Sequence, residues 1–348
     1  MFQAVNLDPN KCYVGLDVSL AETHICTIDG SGEVVAETCL PSDPDQIAAY
    51  LADVAPHAER IGLETGATTP WLWHELKQRG LPIVCLCARH AHRVLSMRHH
   101  KTDRNDARGL AELMRVGWYR EVAVRSVNAQ LIRSMIAARY RLRSVRRDLL
   151  NQMRGVVKAV GLITDSTAGR TFPERVRAAI EVHPFAADVL VPLLAAHDAV
   201  VSQVAVYDRR LASMAKDDAD AKRLMTIPGV GPIVALAYMA TIDDPHRFKT
   251  SSAVGPYLGL APRRYQSGEI DHGGHIGHAP CPIMRSYLYE AATVLLHRTS
   301  RWCRLRSWGM RLVKRIGFKR AAIAVARKIG VIMHAIWVDG TEYEPKGA

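Results

Sequence analysis

The sequence lacks the features of secreted and membrane-spanning proteins. No apolar run reaches the ~18 residues that a spanning helix needs, and the best candidate, Ala321 to Trp337, is interrupted by Arg327 and Lys328. The N-terminus has no basic region followed by an apolar stretch, so no signal peptide is predicted. The seven cysteines are scattered and odd in number, which suits reduced thiols rather than disulfides. We therefore expect a cytoplasmic protein without a membrane partner.

Acidic residues are too few to balance the basic ones. The 348 residues include 46 Lys and Arg against 34 Asp and Glu, which gives a formal net charge of +12 and a pI of about 9.5. This surplus favours a polyanionic partner, and nucleic acid is the better candidate because no membrane segment is predicted. The length and the 48% of apolar residues suit two or three domains with real cores.

What the N-terminal third does contain is a regular succession of strand and helix patterns. The predicted strands are Tyr13 to Val18, His24 to Ile28, Glu33 to Leu40, Arg60 to Glu64 and Pro82 to Leu86, and the predicted helices are Asp45 to Val54, Trp71 to Arg79 and Asp103 to Arg115. This element order is that of the ribonuclease-H-like fold, an α/β fold in which strand ends bring carboxylates together at the centre of the sheet.

Four acids occupy informative positions in this succession. Asp17 lies at the end of the first strand and Glu64 ends the fourth, while Asp103 and Asp106 lie three apart near a helix start. Four converging carboxylates repel one another unless cations lie between them. Two Mg²⁺ ions about 4 Å apart would relieve this repulsion and would stabilise a phosphodiester under attack. We favour this metal site over the alternative, in which Asp103 is a helix N-cap and the others are surface acids.

Basic residues lie beside these acids and along the middle of the chain. Lys101, Arg104 and Arg108 either hold a phosphate backbone or compensate the acidic charge. A long helical pattern from Ser126 to Val160 carries cations on its predicted outer faces: Arg133, Arg139, Arg141, Arg143, Arg146, Arg147, Arg154 and Lys158. A solvated face is the alternative, but so one-sided a charge favours contact with a nucleic-acid backbone.

Two long helical patterns have narrow apolar seams. The first seam consists of Leu142, Val145, Leu149 and Val156. After a break from Gly161 to Phe172, a second helix from about Pro184 to Ala215 has a seam of Val200, Val204, Tyr207, Leu211 and Met214. The seams predict an antiparallel or intermolecular coiled coil, and self-association is expected because narrow seams usually need a partner.

The segment from Thr226 to Pro232 is similar to the hairpin of a helix-hairpin-helix element. Gly229 and Gly231 would let backbone N–H groups and a helix N-terminus face a DNA phosphate. The alternative is a tight turn between two helices. Three further helices are predicted towards the C-terminus: Ile283 to His297, Arg301 to Ile316 and Lys319 to Trp337.

The stretch from Leu258 to Gly268 combines groups that suit chemistry on DNA. Arg263 and Arg264 can grip phosphate as planar forks, and Tyr265 offers a ring for stacking. Ser267 is a hydroxyl next to glycine, so a bulky group can approach it closely. We interpret Ser267 as a nucleophile for DNA strand exchange; by itself the segment also fits a loop with solvated arginines.

Histidines follow this stretch at every third position. His272, His275, His278 and Cys281 are zinc-ligand types. Glycines and prolines surround them and no pair has the usual finger spacing, so a polar loop near DNA is favoured over a metal site.

Several segments together resemble the DEDD-type insertion-sequence transposases related to the Piv site-specific invertases, a family associated with guide ("bridge") RNAs. The matching segments are Tyr13 to Asp17, Leu63 to Gly66, Lys101 to Ala107, Ile227 to Gly231, Gly259 to Gly268 and Arg285 to Ala292. The resemblance runs nearly end to end. Where it would lead us to expect a basic, glycine-containing pattern after the serine, this chain has His275, His278 and Pro280, which puts DNA contact in that loop in question.

The resemblance implies a RuvC-like catalytic domain at 1–122, a coiled-coil oligomerisation region at 123–218 and a transposase domain at 219–348. It implies that Asp17, Glu64, Asp103 and Asp106 bind Mg²⁺ and that Ser267 forms a phosphoserine with DNA. The active site would be shared between subunits of a dimer or tetramer. A guide RNA would select donor and target DNA by base pairing, and Arg285 would contribute to the nucleic-acid surface.

Three other functions remain open from the sequence. A RuvC-like nuclease or junction resolvase would need the acids but not Ser267. An actin-like ATPase or sugar kinase also begins with a strand that ends in Asp, but it needs phosphate-binding glycine hairpins in both halves, and only the turn at Asp29 is found. A catalytically inactive nucleic-acid binder would need neither site.

Overall fold

The computed structural model describes residues 11–96, 102–162, 171–268, 270–276, 281–299 and 302–345. The chain forms two compact units, Met1–Val127 and Asn128–Ala348. The first unit is mixed α/β and the second is mostly helical, as the sequence predicts.

The first unit contains a five-stranded sheet. Its strands are β1 Cys12–Val18, β2 Glu22–Ile28, β3 Val34–Pro41, β4 Ala58–Glu64 and β5 Ile83–Leu86, and its helices are α1 Pro44–Val54, α2 Thr69–Gln78, α3 Ala88–Leu95 and α4 Asp103–Val116. The strand order is β3-β2-β1-β4-β5. β2 pairs antiparallel with β1 and β3, whereas β4 pairs parallel with β1 and β5. All the predicted elements are present, and α3 is an element that the sequence patterns did not predict.

Alternation along the strands separates the two faces of this sheet. Val14 and Leu16 of β1 lie in the cluster that includes the apolar side chains of α1 and α2. Tyr13 lies in the opposite cluster, with Ala107 and Leu110 of α4. Helices therefore cover both faces, and α4 covers the face to which odd-numbered residues of β1 point.

Gly15 lets α4 lie directly on β1. A Cβ at Gly15 would come within 2.0 Å of the Ala107 carbonyl oxygen and 2.4 Å of the Ala111 nitrogen. No other residue fits at this distance, because real Cβ contacts are essentially never below 3.0 Å. The close approach fixes the height and position of α4, and with them the position of its first turn.

In the part of the chain that is described, the second unit consists of nine α-helices, three short 3₁₀ helices and one hairpin. The elements are α5 Val127–Ala159, α6 Phe172–Val182, α7 Ala187–Asp217, α8 Ala219–Met225, α9 Pro232–Ile242, α10 Val254–Tyr257, β6 Pro262–Ser267, β7 Ile270–Ile276, α11 Pro282–His297, α12 Arg304–Ile316 and α13 Phe318–Asp339. Its largest core lies among α9, α11 and α13. There the buried Tyr238 hydroxyl donates to the Gly330 carbonyl at 2.7 Å.

The two long helices, α5 and α7, run in opposite directions between two apolar clusters. Ile132 and Ile136, near the start of α5, share the large core with Leu211 of α7. Met153 and Val157, near the end of α5, share a smaller cluster with Leu190 and other residues of α7. The predicted seam of α5, Leu142, Val145, Leu149 and Val156, is only half-buried. The buried apolar residues of α5 are instead those that join the two apolar clusters at the ends of the helix.

One interpretation of the outer face of α5 was wrong. Arg139 was expected on the cationic outer face, in contact with a nucleic-acid backbone, but it is 8% exposed. Its Nε donates to Asp208 Oδ1 of α7 at 2.5 Å, and its Nη1 donates to the Tyr287 hydroxyl at 3.2 Å. Arg139 follows Ile136 by three positions, so it belongs to the stripe that faces the core.

Two helices are apolar enough to cross a membrane, by length and composition only, contrary to the expectation from uninterrupted apolar runs. They span Pro184–Asp217 and Phe318–Asp339. Half of the apolar window of the second is buried inside the protein, and 22% of the first. Core helices have the same composition, so the finding is weak evidence for a membrane.

Candidate active site and nucleic-acid contacts

Asp17 and Glu64 lie side by side at the centre of the sheet in the first unit. Leu16 of β1 pairs with Leu63 of β4 in the parallel register, so the next residues of the two strands are also neighbours. Both acids are half-buried. Gly15 and Gly62, two residues before each acid, face α4. The two carboxylates therefore lie on the face that α4 covers.

The same row continues to the edge of the sheet. Asp17 is directly opposite His24 of β2, and His24 is directly opposite Cys39 of β3. Directly opposed residues point to the same face. Cys39, His24, Asp17 and Glu64 thus form one row across four adjacent strands. The sequence interpretation found the two acids from the strand ends but missed His24 and Cys39, whose position depends on the pairing register.

Helix α4 carries the other two acids and brings Asp103 to this row. Asp103 and Asp106 are in its first turn, where carboxylates interact favourably with the helix dipole. Asp103 Oδ2 is 3.9 Å from His24 Nε2, with 72% of the Asp103 side chain exposed. The N-cap is Thr102, whose hydroxyl accepts from the Asn105 amide at 3.2 Å. The alternative in which Asp103 serves as the N-cap is therefore wrong.

The cations next to the acids are in different situations. Arg104 forms an ion pair and a hydrogen bond with Glu37 of β3, which raise the pKa of its guanidinium. This contact corresponds to charge compensation, one of the two alternatives for these residues. Arg108 is exposed, and Lys101 lies outside the described residues.

Ser267 is at the tip of a hairpin in the second unit. It is the last residue of β6 and is opposite Ile270, the first residue of β7. Gly268 makes the turn with a φ of +54°, and Ser267 is exposed. Positive φ with no Cβ is the conformation that two-residue hairpin turns require. The alternative of a loop with solvated arginines is therefore replaced by a β-hairpin that carries Ser267.

The remaining predicted nucleic-acid residues are also in the second unit. Arg263, Arg264 and Tyr265 belong to β6, but their side chains, like His278 of the histidine ladder, lie outside the described part of the chain. Arg285 is half-buried in the first turn of α11.

The two glycines of the predicted helix-hairpin-helix turn differ in their surroundings. A Cβ at Gly229, where φ is +93°, would come 2.4 Å from the Ala291 carbonyl oxygen. Gly231 is the N-cap of α9, and no described atom lies within 4 Å of its Cβ position. Packing against α11 thus accounts for Gly229, whereas Gly231 has no comparable packing contact among the described residues.

Two family models match the chain. A transposase model of the DEDD type of IS110 matches residues 14–161. A model described as the transposase IS116/IS110/IS902 family matches residues 221–307.

Curated relatives agree with these matches. A transposase for insertion sequence element IS1111A from Coxiella burnetii is 27% identical over 335 residues, 93% of this chain and 88% of that protein. A probable family 20 transposase from Pseudomonas aeruginosa is 25% identical, with 97% and 99% covered. A pilin gene-inverting protein from Moraxella lacunata is 30% identical over 118 residues, 33% of this chain and 36% of its own.

The fold and these matches define the class of protein. The chain is a transposase, an enzyme that acts on DNA, and it combines a mixed α/β unit that has acids at adjacent strand ends with a helical unit. More closely, the chain belongs to the DEDD-type insertion-sequence transposases of the IS110/IS116 family, whose relatives include pilin gene-inverting proteins. The DEDD class indicates dependence on a divalent metal ion.

Proposed function

We propose that this transposase cleaves and rejoins DNA strands through metal-assisted attack by Ser267, with Asp17, Glu64, Asp103 and Asp106 as the metal-binding acids. The observation that carries the proposal is that Asp17 and Glu64 are neighbours on adjacent strands, on the sheet face that α4 covers. The sheet order β3-β2-β1-β4-β5, with β2 antiparallel, supports assigning the first unit to the RuvC-like group of ribonuclease-H-like folds.

The donor set of the four acids suits Mg²⁺. All four offer carboxylate oxygens, the ligands that hard divalent cations prefer. Asp103 is largely exposed, so an ion and a phosphate can both approach. When bound, Mg²⁺ would neutralise the charge that develops on the phosphodiester oxygens. The four carboxylates would hold the Mg²⁺ ion in place. Gly15 fixes the position of α4, the helix that carries Asp103 and Asp106.

Ser267 is suited to direct attack because of its position at the hairpin tip. Its Oγ would form a bond to a DNA phosphorus atom, and the displaced deoxyribose oxygen would leave as a hydroxyl after taking up a proton. A serine hydroxyl is a weak nucleophile at neutral pH, so the step needs the charge stabilisation that cations and arginines provide. The phosphoserine keeps the ester bond energy for rejoining without ATP.

Nucleic-acid and subunit partners complete the proposal. Donor and target DNA would contact the basic helices, and a bridge RNA would select both by base pairing, as the family resemblance implies. We further propose a homo-oligomer in which the acids of one subunit act with Ser267 of another. Exposed apolar residues on the long helices support self-association, among them Leu131, Tyr140, Val201 and Val206. A DNA-processing role implies a cytoplasmic, nucleoid-associated protein.

The proposal is tested by strand cleavage with protein expressed together with its flanking DNA. Asp17→Asn should abolish Mg²⁺-dependent cleavage, whereas Asp53→Asn should not, because Asp53 is exposed on α1 at the opposite face of the sheet. RNA that copurifies is sequenced. Cleavage that survives Asp17→Asn contradicts the metal site, and the absence of RNA encoded next to the gene contradicts the guided mechanism.

A further inference from the structure

Three side chains at the edge of the first unit's sheet converge on one point. Glu22 and His24 are two apart on β2 and so point to the same face, and Cys39 of β3 is directly opposite His24. Their ligand atoms all lie within 4.8 Å of one another. Cys39 Sγ is 3.6 Å from His24 Nε2 and 3.6 Å from Glu22 Oε2.

These separations match the edges of a tetrahedral zinc site. With a Zn–S bond of about 2.3 Å and Zn–N and Zn–O bonds of about 2.0–2.2 Å, tetrahedral angles place sulfur about 3.6 Å from each of the other ligand atoms. Both measured distances from Cys39 Sγ have this value. The two edges that meet at Cys39 Sγ therefore have the length that a shared tetrahedral ion requires.

The ligand types distinguish this site from the neighbouring acids. Thiolate and imidazole favour Zn²⁺ and similar transition-metal ions, whereas Mg²⁺ prefers oxygen ligands. A fourth ligand is within reach, because Asp103 Oδ2 lies 3.9 Å from His24 Nε2. The exposure of Glu22, Cys39 and Asp103 gives a metal ion a path from solvent.

We propose that Glu22, His24 and Cys39 bind a borderline-soft divalent ion of the zinc class, with Asp103 as the fourth ligand. Binding releases the proton of the Cys39 thiol and forms an S–metal bond. Asp103 would then be drawn towards this ion and away from Asp17 and Glu64. That consequence rests on the proposed function, and it makes Zn²⁺ an inhibitor of Mg²⁺-dependent strand cleavage.

Titration of the full-length protein with Co²⁺, without DNA, tests the site. Tetrahedral Co²⁺ bound to a thiolate should give a sulfur-to-cobalt charge-transfer band that saturates at one ion per chain, and Zn²⁺ should remove it. Cys39→Ser should abolish the band, while Cys87→Ser, at another partly exposed thiol, should keep it. No band in the wild type, or a band that survives Cys39→Ser, overturns the proposal.

His24→Ala supplies a second measure of the same site. Removal of a ligand should weaken Zn²⁺ binding by more than the roughly 10- to 100-fold that loss of a second-shell partner costs, and an unchanged affinity contradicts the assignment. Inhibition of cleavage by Zn²⁺ should be relieved in Cys39→Ser. Zinc binding without inhibition would refute only the assignment of Asp103 as the fourth ligand. The DNA-free titration tests the site even if cleavage is never observed.

Discussion

Arg139 of α5 has its guanidinium buried inside the second unit, where it contacts Asp208 of α7 and Tyr287 of α11. Burial lowers its pKa, but the hydrogen bond to Asp208 and the contacts with Tyr287 outweigh burial and leave the pKa raised. The arginine stays charged at all physiological pH values. The side chain of its partner Asp208 is 43% exposed. The buried guanidinium therefore needs Asp208 to compensate its charge, whereas water can solvate Asp208 if Arg139 is removed.

Asp208→Ala should destabilise the protein more than Arg139→Met. Removing Asp208 leaves a buried charge uncompensated, at a cost of roughly 2–3 kcal/mol, below the 3–5 kcal/mol of a fully buried pair because Asp208 is partly hydrated. Methionine at 139 fills similar volume and returns Asp208 to water, so its cost should be smaller. Urea unfolding of both variants measures the order, and a larger loss for Arg139→Met would contradict this account.

The acids and the histidine–cysteine pair illustrate what single residues reveal in a sequence. The positions of Asp17 and Glu64 were predictable because each lies at the end of a β-rich run, and the position of Asp103 because it opens an amphipathic helix. His24 and Cys39 were not predictable, since their meeting depends on which residues of β2 and β3 are paired. A shift of one residue in that register would send Cys39 to the opposite face.

At the scale of elements, the contact of α4 with β1 decides where the acids lie. Gly15→Ala should destabilise the protein near the upper end of the roughly 1–3 kcal/mol range of overpacked cores, because its Cβ meets backbone that cannot move independently. It should also abolish metal-dependent cleavage, since α4 carries Asp103 and Asp106. Thermal or urea unfolding and a cleavage assay measure the two effects.

Gly62 and Gly155 provide graded controls for this prediction. A Cβ at Gly62 would meet Met114 side-chain atoms at 2.7 Å, which can rearrange. Gly62→Ala should therefore cost less than Gly15→Ala. Gly155 lies within α5, and no described atom is within 4 Å of its Cβ position, so alanine should stabilise by roughly 0.5–1 kcal/mol. Equal tolerance at Gly15 and Gly155 would show that α4 is not fixed by this contact.

Alanine variants at Gly268 and Gly161 distinguish the effect of backbone strain on stability from an effect on DNA strand exchange. Both have positive φ, +54° and +67°, and neither Cβ position has a described atom within 4 Å. Alanine at either site should cost roughly 1–2 kcal/mol of stability from the left-handed conformation. Only Gly268→Ala should also impair DNA strand exchange, because Gly268 orients Ser267. Similar activity losses in both variants would indicate a general loss of folded protein instead.

Elements with regular apolar patterns were predictable, whereas α3 and the β6–β7 hairpin were not. The strands β1 to β5 and the helices α4, α5, α7 and α13 follow clear periodicities. Helix α3 was missed because it is short and because half of its eight residues are histidines or arginines. The β6–β7 hairpin was missed because its glycines and prolines were interpreted as loop, although Gly268 followed by one residue before Ile270 is a recognised hairpin signal.

At the scale of the whole molecule, the surplus of positive charge should govern DNA affinity. Arg141, Arg143 and Arg147 are exposed on α5. If each binds a phosphate, replacing all three by Gln should reduce the slope of log K against log salt concentration by roughly 2–3 units. Fluorescence anisotropy with a short duplex over a range of salt concentrations measures the slope. An unchanged slope in the folded triple variant would place the DNA on another surface.

The proposed reaction requires the acids of the first unit and the serine of the second, contributed by different subunits. The most direct measurement is to trap the enzyme on a nicked suicide duplex carrying the element's own ends, in Mg²⁺, and to map the modified peptide by mass spectrometry. The account predicts a denaturant-stable adduct through Ser267 Oγ that is lost in Ser267→Ala and in Glu64→Gln. Cleavage by the wild type without any adduct, or an adduct that persists in Ser267→Ala, would contradict it.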